Sequence, residues 1–210
     1  MKKRVISVIF AVVILSLVLV SCGNKSDAPK GMKLASDESN GFYTMYVPEN
    51  WVIIETGSNV TFAQAQKKEL KTDKLAPATV NAMFWQKDQN YETNEQAYEA
   101  FFQEYNSQMK KTFGEENFYP QGEPSPSAHY EGAMEYTYVA KYDNIYYKYI
   151  ATIILHKQNY YAVTFNFPQS NLTIKDNKIE AGKYEDAKFE YAEEYKDAVS
   201  DVVSNFKPLK

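Results

Sequence analysis

The side chains that most often carry catalysis or bind metals are few in this sequence. It contains one cysteine, Cys22, and two histidines, His129 and His156. Zinc sites and nucleophilic catalytic sites need several such groups together, and neither histidine has a second histidine or a cysteine nearby. The sequence also lacks a Gly-x-Ser-x-Gly motif and a glycine-rich phosphate loop. We therefore predict a non-enzymatic protein that needs no cofactor.

Carboxylates are concentrated near the carboxy terminus, at Glu190, Glu193, Glu194, Asp197 and Asp201. Steps of three and four residues would place them along one side of a helix. Two or three of them, with Glu190, Glu194 and Asp197 as the candidates, could bind a divalent cation such as Ca²⁺. The simpler interpretation is a solvated helix face whose acidic residues are favoured near the amino end of the helix.

Tyrosine is the other abundant functional side chain, with 18 in the chain. Six of them cluster around a predicted hairpin and the strand that follows it: Tyr142, Tyr146, Tyr147, Tyr149, Tyr160 and Tyr161. Exposed tyrosine rings bind glycans and protein partners, whereas buried ones only pack the sheet. We take Tyr146, Tyr147 and Tyr160 as the candidate partner-binding residues and ordinary sheet packing as the alternative.

The charge of the chain argues against nucleic acid as a partner. The formal net charge is −4 at pH 7 for the whole chain. Without the basic residues Lys2, Lys3 and Arg4, which precede an apolar segment, 20 basic and 27 acidic residues remain, a formal charge of −7. Phosphate backbones and anionic lipids repel an acidic domain.

Hydrophobic periodicity predicts seven strands and two helices. The predicted strands span 41–47, 51–55, 60–65, 78–86, 132–142, 145–156 and 160–167, and the helices span 94–113 and 184–206. The segments 66–74 and 118–128 are predicted as loops, and 170–183 as a loop or a small hairpin around Asp176 and Asn177. This order of elements predicts an α+β fold, an antiparallel sheet of about six to seven strands sandwiched by helices.

Local signals support the best-defined elements. Thr93 followed by Gln96 is a capping-box pattern that begins the first helix, and Gly114 is suited to end it. Asp143 and Asn144 form a typical two-residue hairpin turn. The strand 145–156 is apolar on both faces, so we expect both of its faces to be covered.

The amino terminus has the layout of a secretory signal. Residues 1–4 are basic at three positions, and 5–20 form an apolar run that is short for a membrane-spanning helix. The sequence Leu19-Val20-Ser21-Cys22 that ends the run resembles the lipobox of bacterial lipoproteins. That resemblance implies cleavage before Cys22 and a diacylglycerol on its sulfur, and two acyl chains give stable anchoring. A short transmembrane anchor followed by a chance cysteine is the alternative.

The chain then divides into three parts. We predict a signal peptide over 1–21, a lipidated flexible tether over 22–40, which is rich in Ser, Asp, Asn, Gly, Lys and Pro, and a single domain over 41–210. The predicted location of the protein is the extracytoplasmic face of a bacterial cell membrane, to which the lipid anchors it.

The start of the domain also carries a family resemblance. The segment from Gly41 to Trp51, GFYTMYVPENW, resembles the opening of PsbP-like proteins of the Mog1/PsbP fold group, in which a strand ends in a Pro-x-x-Trp turn. The order of strands and helices over 41–207 is similar as well. The resemblance implies an antiparallel sheet sandwiched by helices. It implies no particular function, and no family metal-binding or partner-binding residues match this chain.

Three functions remain open at this stage. The leading hypothesis is a non-enzymatic domain that binds an envelope protein or glycan. The lipid on Cys22 would anchor this domain to the membrane. The second is a small-ligand or divalent-cation module that uses the acidic carboxy-terminal helix. The third is an enzyme of an unrecognised type.

Overall fold

The computed structural model describes residues 28–36, 41–56, 63–67, 76–86, 90–157, 159–175, 178–180 and 182–209. Cys22, the signal peptide and most of the predicted tether lie outside the described residues. So do residues 60–62, which belong to a predicted strand, residues 68–74 of a predicted loop, and the turn residues Asp176 and Asn177. Among the described helices, none is long and apolar enough to cross a membrane.

One large antiparallel sheet organises the molecule. Its strands lie in the order β3, β4, β5, β10, β9, β8 and β6, and the short strand β7 pairs with β8 beside β6. The strand bounds are β3 Trp51–Thr56, β4 Ala63–Lys67, β5 Thr79–Gln86, β6 Phe118–Pro120, β7 Ser125–Pro126, β8 Met134–Tyr142, β9 Ile145–His156 and β10 Asn159–Pro168. The strands β8, β9 and β10 form the long central meander that the sequence predicts.

Tight turns set the register of this meander. Asp143 and Asn144 both have positive φ, 49° and 63°, the backbone conformation of a type I′ hairpin turn, which Asp and Asn tolerate better than most residues. Lys157 has a φ of 55° in the next turn. Tyr142 consequently pairs with Ile145 at one end of the meander.

One face of the sheet is covered by helix α1, Asn94–Phe113. The side chain of Thr93 accepts a hydrogen bond from the Gln96 backbone N–H and caps the helix, as predicted. At the other end of the helix the Gly114 N–H donates to the Lys110 carbonyl. Gly114 has a φ of 89°, a conformation that favours glycine. The apolar face of α1 packs on alternate residues of the central strands. The resulting core contains Ala97, Tyr98, Phe102, Tyr105, Phe118, Tyr136, Tyr138, Ala140, Ala151, Ile153, Tyr160 and Ala162.

The opposite face is covered by a second layer. This layer contains a three-stranded sheet of β1 (Met32–Ser36), β2 (Tyr43–Pro48) and β13 (Lys207–Pro208), with the helices α2 (Glu190–Glu194) and α3 (Lys196–Ser204). Trp51 is 2% exposed and meets the rings of Phe165 and Tyr195 edge-on, at 6.2 and 6.1 Å between centroids. Strand β9 is covered on both faces, since Ile153 packs in the core with α1 and Ile154 in the core with this second layer. The α+β fold class is confirmed.

Two boundaries differ from the sequence-based prediction, and a third segment takes one of its two predicted forms. Strand β1 pairs with β2, Met32 opposite Pro48, so part of the predicted tether of 22–40 is a strand of the domain. The predicted loop 118–128 contains β6 and β7, which pair with the edge of β8. The segment 170–183 forms the small hairpin, with β11 (Thr173–Lys175) antiparallel to β12 (Lys178–Glu180).

The predicted helix 184–206 is not continuous. A single 3₁₀ turn spans Tyr184–Asp186, and α2 and α3 are separated at Tyr195, whose φ and ψ of −102° and 14° leave the α-helical range. Tyr195 is buried, and its ring stacks near Phe167 at 6.5 Å. Its packing on the sheet coincides with the break between the two helices.

Candidate functional site

The three tyrosines predicted to bind a partner do not form one exposed surface. Tyr146 is 4% exposed and Tyr160 is 5% exposed, so neither offers a ring face, whereas Tyr147 is half-buried. Tyr147 pairs with Pro168 on β10, eight residues along that strand from Tyr160. At about 3.4 Å per residue the two positions are roughly 27 Å apart. These three residues therefore do not form the single partner-binding surface that the sequence predicts.

Tyr160 is buried because α1 covers it. Its ring lies 4.6 Å from that of Phe101, and its hydroxyl donates to the Ala97 carbonyl at 2.8 Å. Desolvation raises the pKa of Tyr160 to about 12, with the neighbouring tyrosines Tyr91 and Tyr98 adding to the effect. This side chain belongs to the core between α1 and the sheet.

Tyr146 instead belongs to an aromatic group at the β8–β9 hairpin end of the sheet. The rings of Tyr119 and Tyr184 stack almost parallel, 4.3 Å apart at an angle of 5°. Tyr146 lies 6.0 Å from each of them, and the Lys141 ammonium sits 5.4 Å from the Tyr146 ring centroid. Tyr119 and Tyr184 are half-buried, so their rings are partly open to solvent.

On the other face of the same end lie Tyr142 and Tyr147. Tyr142 is 65% exposed, the highest exposure among the large hydrophobic side chains of the described residues. Tyr142 pairs with Ile145, two residues before Tyr147 on β9, so the two tyrosines lie diagonally on the same face. Desolvation raises the pKa of Tyr147, and Asp143 and Tyr142 add to the rise. We name Tyr119, Tyr142, Tyr146, Tyr147 and Tyr184 the hairpin-end tyrosine cluster.

Sequence reasoning missed Tyr119 and Tyr184. They stand 65 residues apart, one in the predicted proline-rich loop and the other at the predicted start of the last helix. Only the pairing of β6 with β8, Tyr119 opposite Val139, brings the first of them to the hairpin end. The Gln121 side-chain amide then donates to the Tyr184 hydroxyl at 2.6 Å. No local spacing signals this contact.

The acidic residues of the carboxy-terminal region are dispersed. Glu190 and Glu194 lie on α2, and Asp197 lies on α3 beyond the break at Tyr195; all three carboxylates are exposed. Within the described ranges no group of three or more His, Cys, Asp or Glu side chains is placed to share a metal ion. The continuous stripe expected from an unbroken helix is therefore not formed.

The two histidines lie in different elements. His129 precedes β8, where its N–H donates to the Ser127 hydroxyl and its carbonyl accepts from Ser204, both at 3.2 Å. His156 ends β9 opposite Asn159. Both are half-buried.

A small open cleft lies between the sheet and the carboxy-terminal helices. It has room for about 140 Å³ of solvent, and His129, Ala192 and Val199 are part of its wall. The remaining lining side chains are four charged groups and one apolar group: Glu135, Lys148, Glu193, Lys196 and Ile150. Strands β8 and β9 thus supply its floor, while α2 and α3 supply its opposite side.

Comparison with known proteins identifies the fold. The chain matches no family model and no curated protein. Its structure is similar to the Ran-binding protein Mog1p of Saccharomyces cerevisiae, with a TM-score of 0.52 and 8% identity over 85% of this chain and 96% of that one. A point mutant of Mog1 gives a TM-score of 0.51, with the same identity and coverage.

A third solved structure, the cyanobacterial PsbP of Synechocystis, gives a TM-score of 0.47 and 12% identity over 90% of this chain and 97% of that one. At such low identity the likeness to Mog1 shows the fold alone. The chain therefore has a Mog1-like α+β fold, and the expectation of a Mog1/PsbP-type fold is confirmed at that level.

Proposed function

We propose that this chain is a membrane-anchored, extracytoplasmic lipoprotein whose domain acts by binding a protein of the cell envelope. The observation that carries the proposal is the hairpin-end tyrosine cluster, in which Tyr142 is 65% exposed beside the half-buried Tyr147. Tyrosine is enriched in protein interfaces because its ring buries a large apolar area while its hydroxyl still bonds to polar groups.

The fold supports a binding role. The structural neighbour Mog1p is a Ran-binding protein, so this architecture can serve as a binding domain. The identity of 8% transfers neither that partner nor its binding residues. We infer a non-enzymatic role from the tyrosine cluster and this architecture together.

The anchor is inferred from the sequence. Leu19-Val20-Ser21-Cys22 follows an apolar run of signal-peptide length, and residues between Cys22 and β1 would link the lipid to the domain. Mass spectrometry of the chain expressed in bacteria tests this: we expect Cys22 to be the first residue and to carry a diacylglycerol. A chain found with residues 1–21 intact, or a Cys22 sulfur that carries no lipid, would contradict the anchor.

The binding surface is tested by cross-linking in intact cells. Tyr142→Ser and Tyr147→Ser remove ring surface at the hairpin end, and Ile54→Ser is a matched control because Ile54 is 49% exposed on the distant edge strand β3. We expect the tyrosine variants to lose one specific cross-linked protein that wild type and Ile54→Ser retain. Identical cross-linking by all four proteins refutes the surface, and loss of a glycan instead of a protein refutes the choice of partner.

A further inference from the structure

Four charged side chains line the cleft between the sheet and the carboxy-terminal helices, and none of them forms an ion pair with another described residue. Glu135 and Lys148 are half-buried, and Glu193 and Lys196 are exposed. Two carboxylates and two ammonium groups therefore border one small cavity without pairing with one another.

The sheet register explains why the two strand charges stay apart. Glu135 on β8 lies opposite Thr152 on β9, and Lys148 is four residues before Thr152 on the same face of β9. At about 3.4 Å per residue their Cα positions are separated by roughly 14 Å along the strands. Ile150 lies between them on the cleft floor. The fold thus places the backbones of Glu135 and Lys148 at opposite ends of a short apolar strip, from which both side chains line the same cleft.

A polar group on the same face also lacks a partner. Thr152 is 1% exposed, and its Oγ1 makes no hydrogen bond to any described residue. It stands directly opposite Glu135 and two residues from Ile150. Buried hydroxyls are seldom left unpaired, because the lost hydrogen bond with water is costly.

We propose that this cleft binds a small α-amino acid in its zwitterionic form, with the ligand ammonium at Glu135, its carboxylate at Lys148 and its side chain on Ile150. The two carboxylates and two ammonium groups of the lining cancel in net charge, so neither a simple anion nor a simple cation is favoured overall. A ligand with separated opposite charges pairs with both ends. Glu193 and Lys196 provide a second carboxylate and a second ammonium from the helix side.

The size of the cleft limits the ligand. Its 140 Å³ is below the roughly 300 Å³ at which sites for drug-sized ligands begin, and it equals the space of about four or five water molecules. An alanine-sized or serine-sized amino acid fits this volume better than an aromatic amino acid or a peptide. The site is separate from the ring surfaces of Tyr142 and Tyr147, which lie on the other face of the sheet.

The proposal is tested by titrating the full chain in detergent with L-alanine. Binding is measured by calorimetry and by the shift of the methyl NMR signal of Ile150. Acetate and methylammonium, each carrying one of the two charges, are the comparison ligands. We expect L-alanine to bind and to shift the Ile150 signal at concentrations where neither comparison ligand does. Equal effects of the three ligands, or no effect of L-alanine at millimolar concentration, overturn the proposal without relying on any variant.

Substitutions then locate the two charges. Glu135→Gln and Lys148→Gln should each weaken L-alanine binding about tenfold or more, because each removes a charge-assisted contact. Glu99→Gln and Lys111→Gln are matched controls, since both residues are exposed on α1 beyond the opposite face of the sheet. Unchanged affinity in either cleft variant contradicts the assigned geometry. Because the cross-linking of Tyr142 and Tyr147 variants is scored separately, the failure of one proposal is distinguishable from the failure of the other.

Discussion

The tyrosines beneath α1 should make the domain sensitive to alkaline pH. Desolvation by burial raises the pKa of Tyr136 to about 12, and it raises the pKa of Tyr138 well above the ordinary value of 10. Burial raises the pKa of Tyr149 too. A phenolate is charged, so these groups stay neutral in the folded core at a pH where they ionise in the unfolded chain.

The sign and size of the effect follow from proton linkage. Below pH 10 both states hold the three phenolic protons, and stability is unaffected. Between pH 10 and about 12 the folded state binds more protons than the unfolded state, so stability falls as pH rises. Each of these three tyrosines lowers the free energy of unfolding by about 1.4 kcal/mol between pH 10 and pH 11, so the three together account for about 4 kcal/mol at pH 11. Burial raises the pKa of Tyr105 on α1 and of Tyr160 beneath it as well, which adds to the loss. Typical domains have only about 5–15 kcal/mol of stability in total.

Thermal unfolding followed by circular dichroism at pH 9 and pH 11 measures this loss. We expect a fall in melting temperature of roughly 8–16 °C, at about 2–4 °C per kcal/mol for a domain of this size. Tyr149→Phe removes one titrating group and should therefore shrink the fall. Melting temperatures equal at the two pH values, or equal pH dependence in Tyr149→Phe and wild type, would refute the reasoning.

Three further sets of substitutions test the fold, and the stability of each variant is measured by chemical denaturation. The Tyr105 and Tyr138 hydroxyls hydrogen-bond at 3.0 Å in the core, so each single change to Phe should cost about 1–3 kcal/mol and the double change less than their sum; additive losses would show that the two groups are not coupled. Thr93→Ala should cost about 1 kcal/mol through loss of the α1 cap, whereas Thr93→Ser should restore most of it. Trp51→Ala should cost about 3–5 kcal/mol because the side chain is 2% exposed, and the exposed neighbour Val52→Ala serves as its control; similar losses at both positions would contradict the packing described for Trp51.

Elements defined by local signals could be predicted from the sequence. Helix α1 begins and ends where predicted, because Thr93, the apolar stripe and Gly114 each act within a few residues. The Asp143–Asn144 turn is another such case, since its positive φ values need only residues that tolerate them. Two-sided burial of β9 was readable from apolar residues on both of its faces.

Features that depend on distant segments could not be predicted. Strand β1 contains only a few apolar residues, and it becomes a strand because its backbone pairs with β2 and Met32 packs into the core. The burial of Tyr146 depends on Tyr119 and Tyr184, which arrive from a proline-rich segment and from the start of the carboxy-terminal region. Alternation predicts which face a side chain takes, but not what covers that face.

The preference for tyrosine over phenylalanine in this domain also has a physical consequence. Several tyrosine rings are held in place in two ways, by packing of the ring and by a hydrogen bond of the hydroxyl. In the core, the Tyr98 hydroxyl donates to the Gly132 carbonyl at 2.8 Å and accepts the Leu155 N–H at 3.0 Å, which ties α1 to the sheet.

The same arrangement recurs at the hairpin end, where the rings are partly open. The Tyr119 hydroxyl donates to the Glu116 carbonyl at 2.7 Å, and the Tyr184 hydroxyl accepts from Gln121 at 2.6 Å. A ring already held in place loses little side-chain entropy when a partner covers it, so more of the contact energy remains as affinity. Breaking the hydrogen bond to Tyr184 with Gln121→Leu should therefore weaken partner binding although Gln121 need not touch the partner. Binding left intact in that variant would mean that rigidity at this end contributes nothing to recognition.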